Sequence, residues 1–294
     1  MTLAAVAAAG FLLLGRGESG PDTFHVPAHP TGIAVTGHEV WVAAPQSGAL
    51  TVLDTRSGRR IGEPVRTGGT PTRIALGAKA AWVADTGRGA VIPVRRSNDH
   101  AYAPLHVGAD VSDVALSARV VWALDSAAGV VRTLEPGGRP IRDLPIGPDA
   151  VDIAADERWV VGVSAGNAEL TWIDARARRI AGHVPLGGVP VAVDVTGDTA
   201  WVADAGRDAV VRVDLRSGKA IGSVRVGARP VAIAADGDDV YVLCGDDRML
   251  WNVTGKGEVV WKRPAGREPT ALALGADDVW VADAGADTVI RLDR

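Results

Sequence analysis

A six-residue segment recurs along this chain with little change. It reads WVADAG at residues 201–206 and 280–285, and WVADTG at residues 82–87. The aromatic residue that opens the segment has counterparts along the whole sequence: Trp41, Trp82, Trp122, Trp159, Trp201, Tyr241 and Trp280. Their successive spacings are 41, 40, 37, 42, 40 and 39 residues. Seven copies with a period of about 40 residues predict a β-propeller, in which each repeat forms one four-stranded blade.

Each repeat reads as four short strands separated by turns. The first strand is exemplified by PTRIALGA at 71–78 and the second by AAWVAD at 80–85. The third and fourth are AVVRVDLRSG at 209–218 and KAIGSVRVG at 219–227. Segments rich in Val, Ile, Leu and Trp and bounded by Gly, Asp or Pro are typical of strands. No repeat has the apolar spacing of a helix, so we expect an all-β fold of antiparallel blades.

The two ends of the repeat region complement each other. The chain stops at Asp293-Arg294, directly after a third strand, so the last repeat lacks a fourth strand of its own. The segment from His25 to Pro30 aligns with residues 225–230, which run from a fourth strand into the next first strand. We therefore expect residues 23–26 to complete the seventh blade, which closes the ring and removes a free sheet edge.

The recurring segment has a predicted role in folding. Its Trp can pack between neighbouring blades, because an aromatic side chain buries ~150–250 Å². Its Asp ends the second strand and can accept N–H bonds from the following turn; the residues concerned are Asp85, Asp125, Asp204 and Asp283. Cys244 replaces this Asp in its repeat, and we expect an inert, partly buried thiol there because no His lies nearby.

The segments VWVADAGADTVIRLD and GARPVAIAADGDDVYVL resemble the YVTN-type β-propeller repeats, with WVAD in the place of the tetrapeptide that names that family. The resemblance covers about residues 23–294 and implies a seven-bladed ring. It also implies an exported or surface protein that binds partners, and some related propellers are extracellular sensor domains of membrane kinases. The sequence departs from the pattern at residues 122–125, 159–162 and 241–244, which read WALD, WVVG and YVLC.

The first residues differ in kind from the repeats. Residues 3–14, LAAVAAAGFLLL, form an uninterrupted apolar run. A membrane-spanning helix needs about 20 apolar residues and the apolar region of a signal peptide 7–15, so the run favours export. We expect residues 1–21 to be a signal or anchor segment with its linker, and residues 22–294 to form the propeller outside the cytoplasm. The alternative is an N-terminal helix packed on the domain.

Charge and cysteine content exclude two classes. The formal net charge is −4, and basic and acidic residues are interspersed, so no nucleic-acid-binding surface is expected. With a single cysteine, the chain cannot form an internal disulfide.

One repeated position near the start of the predicted first strands carries charge in three consecutive repeats. Going round the ring, this position reads Gly32, Arg73, Asp113, Asp152, Ala192, Ala232 and Ala271. Three residues upstream, the loops entering the third and fourth blades carry Asp110 and Asp149. We expect these loops to form one mouth of the central channel. The candidate ligand-binding residues are therefore Arg73, Asp110, Asp113, Asp149 and Asp152.

This charged group has two interpretations. It can be an acidic pocket for a cation, a basic peptide or a cationic ligand, with Arg73 as an orienting group. It can equally be a structural ion-pair network between blades, since such networks resemble functional sites. A hard cation such as Ca²⁺ takes six to eight oxygen ligands, which the carboxylates and nearby carbonyls could supply. The sequence leaves open whether the channel holds a metal.

The sequence favours a non-catalytic binding module without a cofactor, monomeric, that binds a protein or a cell-envelope ligand. The alternative is a metal-dependent lyase or lactone hydrolase. Streptogramin lyases share the seven-bladed ring and need His and Glu near the channel, whereas the first strands here contain no His and only Glu268 lies near one. A further alternative is a sensor domain of a longer signalling protein, which predicts additional coding sequence upstream of Met1.

Overall fold

The computed structural model describes residues 21–117, 120–134 and 140–294. These residues form seven antiparallel sheets of a propeller, each with four strand positions. The predicted fold class and blade number are confirmed. The apolar segment at residues 3–14 lies outside the described residues, so its predicted role and the domain boundary stay predictions. None of the helical segments in the described ranges is long and apolar enough to cross a membrane.

In blades 1 to 6 the strands follow the sequence from the channel outwards, and in blade 7 the outermost strand comes from the beginning of the chain. Strand β1 (Asp22–His25) belongs to the last blade. Blade 1 contains β2 (Gly32–Thr36), β3 (Glu39–Ala44), β4 (Ala49–Asp54) and β5 (Val65–Arg66). Blade 2 contains β6 (Pro71–Leu76), β7 (Ala80–Asp85), β8 (Ala90–Arg95) and a broken outer strand, β9 (His100–Ala101) and β10 (Leu105–His106). Blade 3 contains β11 (Val111–Ser117), β12 (Val120–Asp125), β13 (Val130–Leu134) and β14 (Pro140–Pro145).

The remaining blades have full-length outer strands. Blade 4 contains β15 (Ala150–Ala155), β16 (Trp159–Ser164), β17 (Glu169–Asp174) and β18 (Arg179–Pro185). Blade 5 contains β19 (Pro190–Thr196), β20 (Thr199–Asp204), β21 (Ala209–Asp214) and β22 (Lys219–Arg225). Blade 6 contains β23 (Pro230–Asp236), β24 (Asp239–Cys244), β25 (Met249–Thr254) and β26 (Val259–Pro264). Blade 7 contains β27 (Pro269–Leu274), β28 (Asp278–Asp283) and β29 (Thr288–Asp293), completed by β1. Short 3₁₀ turns, Pro45–Ser47 and Thr86–Arg88, connect β3 to β4 and β7 to β8.

The first strands form the wall of the central channel. Each contacts the first strand of the next blade, from β2 through β6, β11, β15, β19 and β23 to β27, and β27 contacts β2 again. At residue 32 the approach is so close that a side-chain Cβ would lie 2.1 Å from the carbonyl oxygen of Thr72 in the next blade. Only glycine fits there, so close packing of the two first strands explains why residue 32 has no side chain.

The hydrophobic core lies between adjacent blades. One cluster joins Ile33, Val40 and Leu53 of blade 1 to Trp280 and Val289 of blade 7. Four tryptophans of the repeat are almost completely buried, as predicted; they are Trp41, Trp122, Trp201 and Trp280. Burying apolar surface at about 25 cal/mol per Å² makes these seams the main stabilising contacts of the ring.

Blade 4 departs from the sequence alignment. Ser164 pairs with Ala150 as Asp85 pairs with Pro71 in blade 2, so Val161 occupies the place of the repeat's aromatic residue. Trp159 was predicted for that place, but it lies two residues earlier, and its Nε1 donates to Asp198 Oδ1 of blade 5 at 3.0 Å. The true blade spacing around this repeat is therefore closer to 40 residues than the aromatic residues indicate.

The ring is closed by the beginning of the chain, as predicted. Strand β1 pairs with β29 at residues 22–25, one position earlier than the predicted 23–26. The Phe24 ring stacks on Trp280 with centroids 5.7 Å apart. Arg291 binds the Asp22 carboxylate and also donates to the carbonyl oxygen of Thr55 in blade 1 at 2.8 Å. Ladder, stacking and ion pair together tie blade 7 to both its neighbour and the N-terminal strand.

The aspartates of the recurring segment, here called the turn aspartates, bind backbone amides at the mouth; they are Asp85, Asp125, Asp204 and Asp283. Asp283 accepts from Arg267 N at 2.8 Å, Glu268 N at 2.7 Å and Gly285 N at 3.2 Å. The predicted bond to the following turn is present at Asp125, Asp204 and Asp283. Asp85 instead accepts from Thr70 N in the loop entering its blade, and bonds to that loop were not foreseen. In blade 6, where Cys244 replaces the aspartate, Asp247 accepts instead from Ala228 N at 2.8 Å.

Candidate functional site

The three charged residues predicted from the repeat occupy equivalent places in the pairing of their first and second strands. Arg73, Asp113 and Asp152 lie opposite Ala84, Leu124 and Val163 of their second strands, each just after an irregularity in pairing. In blades 5 to 7 the same place is occupied by Ala192, Ala232 and Ala271. The three charged residues therefore lie on consecutive first strands along one arc of the channel wall.

Asp113 bridges two blades through backbone amides. It is only 6% exposed, and its Oδ1 accepts from Val114 N at 2.7 Å on its own strand. Its Oδ2 accepts from Ile153 N of blade 4 at 3.0 Å. First strands are sheet edges, so some of their N–H groups have no strand partner. A carboxylate that binds such groups on two strands offsets part of the cost of its own burial.

Asp152 repeats this arrangement one blade further on. Its Oδ2 accepts from Val193 N of blade 5 at 2.7 Å, and its carboxyl group lies next to that of Asp113. Burial raises the pKa of both carboxyl groups, and the Asp113 charge raises that of Asp152 further, well above the ordinary range. Two adjacent carboxyls of this kind titrate as a pair and share a proton to higher pH than isolated ones.

Arg73 connects this pair to the opposite side of the arc. Its Nη1 donates to the carbonyl oxygen of Thr31 in blade 1 at 2.6 Å. Its positive charge opposes the rise in pKa of both Asp113 and Asp152. The bonds of these three residues together reach five consecutive blades, from Thr31 in blade 1 to Val193 in blade 5. Among the described residues, Arg73 acts on the two aspartates through its charge rather than through a salt bridge.

A third aspartate that binds backbone amides of two blades, Asp194 of blade 5, was not predicted from the sequence. Its Oδ1 accepts from Val195 N at 2.8 Å and its Oδ2 from Ala235 N of blade 6 at 2.7 Å. Burial raises its pKa to about 6. The sequence did contain an indication of this residue. The equivalent position in the first strands of blades 6 and 7 is alanine, namely Ala234 and Ala273, so an aspartate there departs from the repeat. We call Asp113, Asp152 and Asp194 the channel aspartates.

The two loop acids lie apart from Arg73 and the channel aspartates. Asp110 is half-buried, and its backbone amide donates to Asp125 Oδ1 at 3.3 Å. Asp149 is exposed and has a positive φ of 49°. Among the described contacts, neither carboxylate binds Arg73 or a channel aspartate. The structure thus brings three of the five predicted residues together and places Asp110 and Asp149 on the loops entering blades 3 and 4.

The described residues offer little for metal or nucleophilic chemistry. In residues 21–117, 120–134 and 140–294, no group of three or more His, Cys, Asp or Glu side chains could hold a metal ion. The Cys244 thiol is fully buried, and burial raises its pKa to about 12, which disfavours the reactive thiolate. It was expected to be only partly buried. What the channel arc provides is a group of charged side chains, among them two neighbouring carboxyls whose pKa values are raised.

Comparison with known proteins shows the fold and leaves the family open. No family model matches the chain. No curated protein matches its sequence. Many solved structures do match. Virginiamycin B lyase from Staphylococcus aureus is 12% identical with a TM-score of 0.82, covering 94% of this chain and 99% of that one. Hydrazine synthase from Kuenenia stuttgartiensis is 14% identical with a TM-score of 0.79, covering 97% and 99%.

A chain of a mitotic checkpoint complex is also similar, at 12% identity and a TM-score of 0.81, covering 99% of both chains. Enzymes and an assembly subunit therefore share this architecture with similar scores. At such low identity the likeness shows the propeller fold alone.

Proposed function

We propose that the protein is a non-catalytic binding module, a YVTN-type propeller that acts outside the cytoplasm as a monomer. It binds a protein or a cell-envelope ligand at the channel mouth, where the loops entering blades 3 and 4 receive a cationic group. Asp110 and Asp149 make the direct contact in this proposal. Arg73, Asp113 and Asp152 form the charged floor below them.

The observation that carries this proposal is the uneven charge of the channel wall. Blades 5 to 7 present Ala at the position where blades 2 to 4 present Arg73, Asp113 and Asp152. The floor carboxyls already bind backbone amides, whereas the Asp149 carboxylate on the rim is exposed. A rim acid without a protein cation is free to bind one from a partner, and such charges mainly set specificity and association rate.

Export is supported by the apolar run at residues 3–14 and the polar, glycine-rich stretch that follows it. The run can act as a cleaved signal or as an anchor, and a sensor role in a longer signalling protein fits either case. A reporter fused after residue 30 tests this part separately. Alkaline phosphatase activity in cells is the expected result, and a reporter active only in the cytoplasm would contradict it.

The binding proposal is tested by capture from a solubilised cell-envelope fraction. The full chain is compared with an Asp110→Asn, Asp149→Asn double variant and with a matched Glu157→Gln, Asp239→Asn control. The control removes the same charge from exposed residues at the turns on the opposite face. We expect a partner retained by the parent and the control and at least tenfold depleted with the rim variant. Equal capture by all three proteins would contradict the assignment of the mouth.

An enzyme remains the second candidate, because virginiamycin B lyase shares the fold over nearly its whole length. No described first strand carries a histidine here, so the Asp113–Asp152 pair with its shared proton is the available acid–base group. Screening ester and lactone substrates, with and without added divalent metal, separates the candidates. Turnover lost in an Asp113→Asn, Asp152→Asn variant that still folds would establish the enzyme over the binding module.

A further inference from the structure

A cavity lies between blades 1 and 2, away from the channel mouth. Its volume is about 640 Å³. Its wall includes Lys79 in the turn between β6 and β7, Arg95 and Arg96 at the end of β8, and Tyr102 after β9. The turn between the first and second strands lies at the opposite end of the blade from the mouth. We call this cavity the blade 1–2 groove.

Arg95 reverses the charge that this position has elsewhere. The last residue of the third strand is aspartate in four other blades, namely Asp54, Asp174, Asp214 and Asp293. In three of them the carboxylate binds the following turn, as Asp54 does with Ser57 N at 2.8 Å. In blade 2 this position holds Arg95 instead of an aspartate, and its positive charge lies at the groove. The repeat alone does not account for that exchange.

The floor of the groove is fixed by a neighbouring ion pair. Arg96 donates through Nε and Nη2 to Glu39 Oε2 of blade 1 at 3.0 and 2.9 Å, and through Nη1 to the Gly77 carbonyl oxygen at 2.8 Å. The same Glu39 oxygen accepts from Trp41 Nε1 at 2.8 Å. Bonds of this kind hold both charged groups in place. The negative charge of Glu39 is thereby compensated inside the groove wall.

Lys79 and Arg95 remain as exposed cations without a carboxylate partner. Neither makes an ion pair with another described residue. The other acid nearby is Asp99, whose pKa is raised, first by burial and then by the Glu39 charge. Counting Lys79, Arg95 and Arg96 against Glu39, the residues lining the groove leave an excess of positive charge.

Tyr102 provides a flat apolar wall next to these cations. Its ring is 39% exposed, and the Arg95 guanidinium lies 5.2 Å from the ring centroid. The ring is placed there because the outer strand of blade 2 is broken. Tyr102 N donates to the Pro93 carbonyl at 2.9 Å, and Pro93 has no N–H to continue the ladder on that edge. An exposed aromatic ring beside a guanidinium suits a planar group carrying negative charge.

We propose that the blade 1–2 groove binds an anionic small molecule in which a carboxylate or phosphate is attached to a flat apolar body. Lys79 and Arg95 receive the anion, and Tyr102 packs against the apolar part. This site is separate from the channel mouth, so its ligand is independent of the partner proposed there.

Phenyl phosphate is the probe for this site, titrated into the ¹⁵N-labelled full chain and followed by amide chemical shifts. We expect saturable changes confined to residues 78–80, 95–97 and 102, with a Kd on the order of 1 mM or tighter. A Lys79→Gln, Arg95→Gln variant should bind at least tenfold more weakly, and Tyr102→Ala several-fold more weakly. Phenol, which lacks the anion, and inorganic phosphate, which lacks the ring, should both bind more weakly than phenyl phosphate.

The matched control is an Arg176→Gln, Lys219→Gln variant, which removes two exposed cations from blades 4 and 5. It should bind the probe within about twofold of the parent. The proposal is wrong if phenyl phosphate gives no saturable change, if the control weakens binding as much as the groove variant, or if inorganic phosphate binds equally well. A free carboxylate such as benzoate in place of phenyl phosphate then tells which anion the groove prefers.

Discussion

Two sets of aspartates in this propeller bind backbone N–H groups, one at the ends of the second strands and one along the first strands. The turn aspartates bind within their own blade, as Asp283 does with three amides of blade 7. The channel aspartates bind across blades, as Asp113 does with Ile153 N and Asp194 with Ala235 N. One residue type thus shapes the single blade in one place and joins neighbouring blades in the other.

One aspartate of each set has a pKa that shifts in the opposite direction to the other. Burial alone would raise the pKa of Asp125, a turn aspartate, but Arg132 and backbone amides outweigh burial and lower it. At Asp194 burial outweighs two amides, and the pKa rises to about 6. The balance between lost hydration and the number of donors decides the sign. Asp125 at its turn accepts from three backbone amides and from Arg132, whereas Asp194 on a strand edge accepts from two amides.

The largest effect is expected at a turn aspartate. Asp283→Ala leaves three amides without their acceptor, and each unsatisfied buried donor costs about 1–3 kcal/mol. We expect the free energy of unfolding to fall by roughly 3–4 kcal/mol, measured by urea denaturation. Asp277→Ala, at an exposed turn of the same blade, is the control and should change it by less than about 0.5 kcal/mol. Similar decreases in the free energy of unfolding for both variants would show that the turn aspartates stabilise the fold no more than an exposed aspartate does.

A pH-dependent effect of intermediate size is expected at a channel aspartate. The folded-state pKa of Asp194, about 6, lies above the ordinary 3.8, so the folded chain holds this proton more tightly than the unfolded chain. This contribution is complete below the unfolded pKa and is lost as the pH rises through the folded pKa. Between about pH 4 and pH 7 the parent should lose about 1–3 kcal/mol of stability relative to Asp194→Ala.

Urea denaturation of both proteins at several pH values measures this difference. Asp239→Ala, at the exposed start of β24, serves as the control and should run parallel to the parent. A parent that gains stability against Asp194→Ala as the pH rises would reverse the sign and refute the assignment.

The smallest effect is expected in blade 6, where the turn set is incomplete. Asp247 replaces the missing aspartate and accepts one amide, Ala228 N at 2.8 Å. Asp247→Ala should therefore cost about 1 kcal/mol, well below Asp283→Ala, by the same denaturation measurement. If the two variants cost the same, the number of amides bound does not determine the contribution of a turn acid.

Much of the ring could be predicted from the sequence because its period repeats one set of physical requirements. The first strands, the turn aspartates and the closing strand all follow from residues that recur at equivalent places. Blade 4 was misaligned because Trp159 resembles the repeat's aromatic while Val161 occupies its place. Side-chain identity misled there, and only the pairing of Ser164 with Ala150 shows the register.

The candidate site could be predicted only at the one repeat position that the sequence analysis compared between blades. Arg73, Asp113 and Asp152 share a register and were found, whereas Asp194 lies two residues further along its strand and was missed. The sequence could not show that Asp110 and Asp149 lie apart from Arg73, Asp113 and Asp152, because the repeat period does not determine the direction in which a loop side chain points. Arg95 was likewise not predicted as a binding residue, because the sequence does not show that the end of β8 lies in the wall of a groove.

The contrast between the two sets is tested most directly by following the carboxyl ¹³C signals of the aspartates by NMR as a function of pH. The account predicts that Asp194 titrates near 6, that Asp152 titrates well above the ordinary 3.8 together with Asp113, and that Asp125 titrates below 3.8. Titration of the channel carboxyls at or below the value of Asp125 would contradict it.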